Sequence, residues 1–191
     1  MRVVAGALGG RRLVAPRGDA TRPTGERVRE ALFSVLFDVE GAVVLDLFAG
    51  TGALGIEALS RGASRAVHVE SGRPALAALR DNLRALGLQE RAVVVARPVA
   101  RARDELVARG PYDLVLCDPP WAELAHAQSE LAALAAAGAL GPGCRVVLEH
   151  AAADAPPDIE GLVRRDARTY GDTALAFYEP LCPSGGQGPA P

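Results

Sequence analysis

Three carboxylates that could bind a ligand or take part in a reaction lie at the ends of apolar, β-branched runs: Asp46, Glu70 and Asp118. Parallel strands present their carboxyl ends at one edge of a sheet, and ligands of such sheets bind outside that edge. If the three runs are parallel strands, their acids therefore face one crevice. Ionised carboxylates accept hydrogen bonds from ammonium, amine and hydroxyl groups, so the sequence predicts a ligand that carries such groups.

A glycine-rich turn follows the first of these acids. Gly50, Gly52 and Gly55 have the spacing G-x-G-x-x-G between a predicted strand at 42–47 and a predicted helix at 53–60, a pattern that is weak evidence on its own. Glycine tolerates a positive φ and lets the backbone approach a ligand, while the first N–H groups of the helix point at it. Cofactor contacts are predicted at Phe48, Ala49, Gly50, Thr51 and Gly52.

The acids around this turn decide between two cofactors. In a dehydrogenase the glycines bind a pyrophosphate and a carboxylate after the next strand binds the ribose, and Glu70 has that second position. Asp46, however, precedes the glycines, where it would repel a pyrophosphate and attract an ammonium group. S-adenosylmethionine carries both an ammonium group and a ribose, so Asp46 and Glu70 are predicted to bind these two ends. The alternative is that Asp46 caps the N–H groups of the turn and that Glu70 is a surface acid.

The tetrapeptide Asp118-Pro119-Pro120-Trp121 follows the fourth predicted strand. Its two prolines stiffen the loop and remove two donors, which leaves carbonyl and carboxylate acceptors that suit an –NH2 group. When these acceptors bind the hydrogens of a nucleobase amine, they favour the pyramidal form of the amine, which is nucleophilic. A methyl group that is already activated need only be held in line with the attacking nitrogen. Trp121 offers a face for an extruded base, a contact worth about 1–3 kcal/mol. These four residues are the predicted catalytic residues, the alternative being a rigid loop with a buried tryptophan.

Basic residues are concentrated at the start of the chain. The 191 residues have a net charge of −2 and contain no lysine, yet residues 1–29 hold seven arginines and two acids. A basic end on an acidic body suits a polyanion such as RNA, although a solvated basic face is the alternative. The predicted nucleic-acid contacts are Arg2, Arg11, Arg12, Arg22, Thr24, Arg27 and Arg29.

Other residue types argue against a metal, a disulfide or a membrane. The cysteines have no paired spacing and the histidines no metal-ligand spacing, so we expect buried thiols, strand-edge or surface imidazoles, and no metal. These residues are Cys117, Cys144, Cys182, His68, His126 and His150. No apolar run approaches the roughly 20 residues of a membrane span, and the short apolar start is followed by Arg11-Arg12, which does not fit a signal peptide. A cytoplasmic protein, and a monomer, is expected.

Strand and helix patterns alternate along the chain and predict parallel strands with right-handed crossovers. A β-hairpin is expected at 3–5 and 13–15, a linker at 16–23, a helix from Thr24 to about Phe37, and a loop at 141–143 before a strand at 145–149. Antiparallel strands are expected at 162–169 and 174–178. The predicted organisation is an RNA-contacting hairpin extension at 1–20, a catalytic domain at 21–179 and a disordered tail at 180–191.

Together, Asp46 to Gly52 and Asp118 to Trp121 resemble the class I S-adenosylmethionine-dependent methyltransferases that modify exocyclic amines. Arg22-Pro23-Thr24, Arg27 to Glu30 and Tyr170 to Leu175 resemble more closely the RsmD family, which methylates guanine N2 in bacterial 16S ribosomal RNA. This resemblance covers about residues 1–179 and implies an α/β, Rossmann-like fold. It implies a seven-stranded mixed sheet with helices on both faces, an N-terminal hairpin and a small-subunit RNA partner. By the same resemblance Asp46, Gly50, Gly52 and Glu70 bind the cofactor, and Asp118 and Pro119 hold the amine.

Two departures from the family pattern concern the pocket. Trp121 replaces the usual Phe or Tyr, which keeps a stacking face but changes its width, and Arg97-Pro98-Val99-Ala100 stands where many relatives place a polar residue near adenine.

Four other functions remain open at this stage. The amine-binding loop would also serve N6-adenine methylation of DNA, although the chain leaves no room for a separate target-recognition domain. Cysteine-dependent cytosine-C5 methylation would use Cys117, and an NAD-dependent oxidoreductase would use the glycine turn. A non-catalytic RNA-binding module would use the fold alone.

Overall fold

The computed structural model describes residues 1–15 and 25–181. They form one mixed sheet of seven strands with helices on both faces. The strands are β1 Val43–Leu47, β2 Arg65–Val69, β3 Ala92–Val95, β4 Tyr112–Cys117, β5 Leu140–Ala151, β6 Leu162–Tyr170 and β7 Thr173–Pro180. The helices are α1 Glu26–Leu36, α2 Ala53–Ser60, α3 Arg73–Ala85, α4 Val99–Arg109 and α5 Leu124–Ala136, with a 3₁₀ turn at Trp121–Glu123.

The strand order is β3-β2-β1-β4-β5-β7-β6, with the first five strands parallel and β7 antiparallel to both of its neighbours. The order reverses between β1 and β4, and in such sheets ligands bind at the carboxyl ends of the strands beside this switch point. The predicted fold class and the predicted alternation of strands and helices are confirmed. The glycine turn after β1 and the tetrapeptide after β4 therefore lie next to each other.

Two apolar layers hold the helices against the sheet. One layer joins α1, α2 and α3 to the sheet through residues such as Leu32, Leu54 and Leu79, and the other joins α4 and α5 through residues such as Leu106 and Leu131. Both faces of the central strands are thus covered, which explains their nearly continuous apolar sequences. No described helix is long and apolar enough to cross a membrane.

The N-terminal segment, residues 1–15, folds back on itself, and one antiparallel bridge pairs Arg2 with Arg12. The predicted pair of three-residue strands is therefore shorter than expected. Val3 and Leu13 are buried and belong to the layer that also contains α1 and α2. The segment is packed on the main core through these two side chains.

Two element boundaries differ from the sequence prediction. Helix α1 begins at Glu26 with Gly25 at its N-cap position, and Thr24, the predicted cap, lies outside the described residues. The predicted loop at 141–143 is part of β5, because Leu140 already pairs with Tyr112 before a register shift in the β4–β5 pairing. The predicted linker at 16–23 and residues 182–191 of the predicted tail also lie outside the described residues.

Candidate active site

The carboxyl ends of β2, β1 and β4 lie side by side in register. Leu47 pairs with Val69 on one side and with Cys117 on the other, and neighbouring strands are about 4.8 Å apart. The residues that follow these positions, Glu70 and Asp118, therefore flank the glycine turn. The backbone N–H of Asp118 donates to the carbonyl of Leu47 over 3.4 Å.

The glycine turn has the left-handed backbone that its sequence predicts. Gly50 and Gly52 have φ values of 56° and 81°, and Phe48 also has a positive φ of 57°. A Cβ atom on Gly52 would lie 2.4 Å from Leu79 Cδ1, whereas one on Gly50 would meet only Phe48 O, at 4.0 Å. Gly52 thus permits packing on α3, while Gly50 faces open space. The positive φ of Phe48 is a strained conformation of the kind that clusters at functional sites.

Glu70 ties this turn to the start of α3. Its Oε2 accepts a hydrogen bond from Gly50 N over 2.8 Å, and its Oε1 accepts from Ser71 N over 2.7 Å and Gly72 N over 2.6 Å. The carboxylate is half-buried, and each of its oxygens has more than one acceptor site. Binding of a ribose by Glu70 stays a prediction, and the contacts place its carboxylate at the correct edge for it.

Asp46 is buried behind the turn and has a structural task. Its side chain is 1% exposed, and its Oδ2 accepts from Gly55 N over 3.0 Å and lies 2.9 Å from His68 Nδ1. A Cβ atom on Gly55 would lie 2.3 Å from His68 Cε1, so the third glycine permits this close packing of α2 on β1 and β2. The capping role considered as the alternative is therefore present. Direct binding of an ammonium group by Asp46 stays a prediction.

Two of the three histidines differ from the prediction of strand-edge or surface positions. His68 and His150 are almost completely buried, because they lie inside β2 and β5, which have neighbouring strands on both sides. Nδ1 of His150 lies 2.9 Å from Ala151 O. His126 is exposed, and its ring contacts Phe48 edge-to-face at 6.5 Å. Among the described residues, no group of three His, Cys, Asp or Glu could hold a metal ion.

The tetrapeptide Asp118 to Trp121 leaves the sheet edge and enters the 3₁₀ turn before α5. Asp118 is half-buried, Pro119 is buried and Pro120 is exposed. Trp121 is 43% exposed, so the alternative of a rigid loop with a buried tryptophan is wrong. Stacking of a base on this exposed indole stays a prediction.

Glu149 was missed by the sequence prediction and lies on the neighbouring strand. Leu148 pairs with Cys117, which places Glu149 next to Asp118 at the carboxyl end of β5. The residue is 8% exposed and borders a cavity of about 10 Å³, room for about one water molecule. An acid that closes a predicted strand was the available signal.

Cys117 is unsuited to nucleophilic catalysis. Its side chain is buried inside β4, and burial raises the pKa of the thiol well above its ordinary value, with the negative charges of Asp118 and Asp46 adding to the effect. The thiolate is the nucleophilic form of cysteine. The structure therefore gives no support to cysteine-dependent methylation of cytosine.

Four predicted nucleic-acid contacts are exposed: Arg2, Arg11, Arg12 and Arg27. Arg2 forms an ion pair with Glu26, with Nε and Oε2 3.1 Å apart. Desolvation acts to raise the pKa of the Glu26 carboxyl, but the hydrogen bonds and the positive charge of Arg2 together outweigh it, so the pKa is lowered. Two more predicted contacts, Arg22 and Thr24, lie outside the described residues. Binding of RNA by the exposed arginines stays a prediction.

Arg29 corrects the last of these predictions. Its side chain is fully buried, with Nε 3.6 Å from Glu57 Oε2, and it donates to the carbonyl of Arg2. Burial lowers the pKa of Arg29, and the charge of Glu57 opposes this effect. Glu57 also accepts from Val4 N over 2.7 Å and Ala5 N over 2.9 Å. Arg29 therefore fastens the N-terminal segment to α2, and its guanidinium cannot reach a surface phosphate.

Asn82 is a second residue that the sequence prediction missed. It is 1% exposed, and its Nδ2 donates to Thr51 O and to Val14 O, each over 3.0 Å, while its Oδ1 accepts from Val14 N over 2.7 Å. One side chain thus joins the glycine turn to the N-terminal segment. Its signal was a polar residue between Leu79 and Leu83 on the apolar face of α3.

The family of the protein follows from comparison of its sequence with known families. The profile of a family described as "Conserved hypothetical protein 95" matches residues 1–179. The chain belongs to this family, the RsmD family. The predicted resemblance is thereby confirmed, and membership of the family makes the chain a methyltransferase.

Individual relatives agree with this assignment. A Bacillus subtilis protein named "Putative rRNA methyltransferase YlbH" is 35% identical over 184 residues, which cover 94% of this RsmD-family chain and 98% of the relative. The Escherichia coli "Ribosomal RNA small subunit methyltransferase D" is 41% identical over 123 residues, 63% of this chain and 60% of the relative. The solved structure of "Putative methyltransferase yhhF" from Escherichia coli superposes with a TM-score of 0.80 at 31% identity, covering 94% of this chain and 97% of the other.

Proposed function

We propose that this chain transfers a methyl group from S-adenosylmethionine to the exocyclic N2 amine of a guanine in 16S ribosomal RNA of the small subunit. The names of its relatives support a ribosomal RNA substrate. The observation that carries the chemistry is that Asp118, which begins the loop that carries Trp121, follows β4 next to the end of β1 and its glycine turn, at the switch point of the sheet. An amine and a methyl donor would meet at that position.

The residues at this edge fit S-adenosylmethionine. Gly50 leaves open space against the backbone, the first N–H groups of α2 point to the same edge, and Glu70 supplies carboxylate acceptors for ribose hydroxyl groups. Asp46 holds the turn in shape from behind. When bound, the donor supplies an electrophilic sulfonium methyl group. The residues of this chain need to orient that group and deliver the amine.

The Asp118 loop supplies the groups that would orient the amine. The carboxylate of Asp118 and the carbonyl of Pro119 accept the two N2 hydrogens, which directs the nitrogen lone pair toward the methyl group. Trp121, which is 43% exposed, stacks on the extruded guanine and fixes its plane. After transfer the amine must lose a proton, and the Asp118 carboxylate is the group that accepts it in this proposal. This account needs neither a thiolate nor a metal.

Substitution of Asp118 tests these roles. We expect Asp118→Ala to lower the rate of methyl transfer from radiolabelled donor to 16S ribosomal RNA by about 100-fold or more, while calorimetry shows unchanged donor affinity. Asp154→Ala, which removes an exposed acid from the loop after β5, is the matched control and should retain full activity. Equal activity in the two variants would refute the role of Asp118, and a wild-type protein without methyl transfer would favour a non-catalytic RNA-binding module.

The target base needs a separate measurement. Mass mapping of 16S ribosomal RNA from cells that lack this protein should show one guanine without its N2 methyl group, restored by the wild-type gene and not by the Asp118→Ala gene. An unchanged guanine pattern would refute the substrate. Methylated adenine in DNA exposed to the purified protein would instead support the N6-adenine alternative.

A further inference from the structure

The exposed face of α3 carries a row of arginines that none of the functions above uses. Arg73, Arg80 and Arg84 are spaced by seven and four residues, so they lie on one side of the helix. All three are exposed. From Arg73 to Arg84 the row extends about 16 Å along the axis, at a rise of about 1.5 Å per residue. A phosphate chain laid along the helix could contact all three side chains.

This row also borders a groove at the edge of the sheet. Strand β3 is the edge strand next to α3, and the groove between them has a volume of about 230 Å³. Its lining residues are Arg80, Leu83, Arg84, Gln89, Ala92 and Val94. The combination of two guanidinium groups, an amide and short apolar side chains suits a sugar–phosphate chain, which needs charge along one side and room for its riboses.

The N-terminal segment extends this surface beyond the end of α3. Arg11 donates from Nη2 to the carbonyl of Ala85 over 3.0 Å, which places its guanidinium next to the row, and Arg12 follows with an exposed side chain. We call Arg11, Arg12, Arg73, Arg80 and Arg84 the α3 track. The two ends of the track come from segments more than fifty residues apart in the chain.

The charge of the track is only partly neutralised. Asp81 is the one acid within α3, and it pairs with Arg84 at 3.0 Å. Arg73 and Arg80 form no ion pair with any described residue. The whole chain is nevertheless acidic, with a net charge of −2. A local positive surface on an acidic protein selects a polyanionic partner.

We infer that the α3 track is a docking surface for the phosphates of the substrate RNA. The inference rests on the proposed function in taking RNA as the substrate, and it adds the surface that binds the RNA outside the active site. Arg73 begins α3 shortly after Glu70, so the track starts near the edge of the sheet that carries the candidate active site. It ends at the N-terminal segment, where Arg11 contacts Ala85. The phosphates next to the extruded guanine would enter at Arg73 and continue past Arg80 and Arg84.

The double substitution Arg80→Gln with Arg84→Gln tests the inference. Glutamine is shorter than arginine but keeps a polar side chain with a similar helix propensity, and it removes both charges. We expect weaker binding of 16S ribosomal RNA, a higher KM for RNA and an unchanged kcat at saturating RNA. The dependence of log affinity on log salt concentration should become shallower, with the magnitude of its slope smaller by about 1 to 2, since each phosphate contact contributes about 0.7 to 0.9. Calorimetry should show the wild-type affinity for the methyl donor.

The matched control is Arg165→Gln with Arg168→Gln on β6. These arginines are also exposed, and β6 is the opposite edge strand of the sheet, so their loss should leave the salt slope unchanged. Equal effects of the two pairs, or no effect of the α3 pair, would overturn the inference while leaving methyl transfer intact. Weaker binding to the assembled subunit but not to naked RNA would also overturn it, because a ribosomal protein would then be the partner. A wild-type protein that binds no RNA would refute both proposals.

Discussion

The three carboxylates at the carboxyl ends of β1, β2 and β4 have different environments and therefore different roles. Asp46 is buried and holds the first turn of α2 against β1 and β2. Glu70 is half-buried and accepts three backbone hydrogen bonds that fix the turn beside α3. Asp118 follows β4 in the loop that carries Trp121. A single edge of the sheet therefore combines two acids that hold backbone turns with a third that we propose binds the amine.

At the residue scale, Cys117 gives a test of the chemistry. The pKa of its thiol is raised by burial and then by Asp118 and Asp46, so the protonated form persists far above neutral pH. Cys117→Ala should keep the rate of methyl transfer within about twofold and lower Tm by a few degrees, since it removes one buried sulfur atom. A loss of activity as large as that of Asp118→Ala, with normal donor affinity, would restore the nucleophilic role that we reject.

At the element scale, the sequence predicts what depends on neighbouring residues in the chain. The bounds predicted for β4 and α2 match the structure closely, because apolar patterning and glycines are local signals. The extension of β5 through 141–143 was missed, since Leu140 and Arg145 on either side of this segment both pair with β4 across a register shift, and that pairing cannot be read from the local sequence. The sequence predicted where in the sheet the candidate site lies. It did not predict which groups its side chains contact. Arg29 reads as a surface arginine until Glu57 and the N-terminal segment are placed around it.

The bridge between elements made by Asn82 leads to a prediction. Asn82→Asp keeps the acceptor for Val14 N but places a charged acceptor against the carbonyls of Thr51 and Val14. A buried carboxylate facing carbonyl oxygens is strongly unfavourable. We expect donor affinity to fall about tenfold and Tm to fall by several degrees, measured by calorimetry and thermal unfolding.

The neighbouring residue supplies the control for this experiment. Asp81→Asn is the reverse exchange one position earlier, on the exposed face of the same helix. It should leave donor affinity unchanged. If Asn82→Asp loses stability but binds the donor like the wild type, the bridge does not position the glycine turn.

At the scale of the whole molecule, the segments that carry function share one core. Val3 and Leu13 lie in the same apolar layer as α1 and α2, and Arg29 and Glu57 connect that layer to the backbone of the N-terminal segment. The N-terminal segment, which contributes Arg11 and Arg12 to the proposed RNA-binding surface, is thus fastened to α2, the helix that follows the glycine turn. The division predicted at residue 20 stays a prediction about sequence organisation. In the structure, residues 1–15 are packed on the core through Val3 and Leu13.

This shared core predicts how stability depends on alkaline pH. Burial raises the pKa of Tyr112 to about 12 and that of Tyr178 to about 12, whereas the unfolded chain has the ordinary value of about 10. Each hydroxyl also donates a hydrogen bond, to Leu106 O over 2.9 Å and to Pro157 O over 2.6 Å. Between these pH values the unfolded chain releases protons that the folded chain keeps, so the contribution of the two tyrosines to stability is constant below about pH 10 and falls as the pH rises toward 12.

Urea unfolding at several pH values, followed by circular dichroism, measures this loss of stability. Tyr112→Phe removes one of the two ionisable groups, so the fall between about pH 10 and 12 should be shallower than in the wild type, although the variant starts from a lower stability because it lacks the bond to Leu106. Tyrosinate absorbance should rise together with the loss of the folded signal. Full ionisation of all three tyrosines near pH 10 in a protein that keeps its native circular dichroism would contradict the prediction, because the buried hydroxyls would then be exchanging protons with solvent in the folded state.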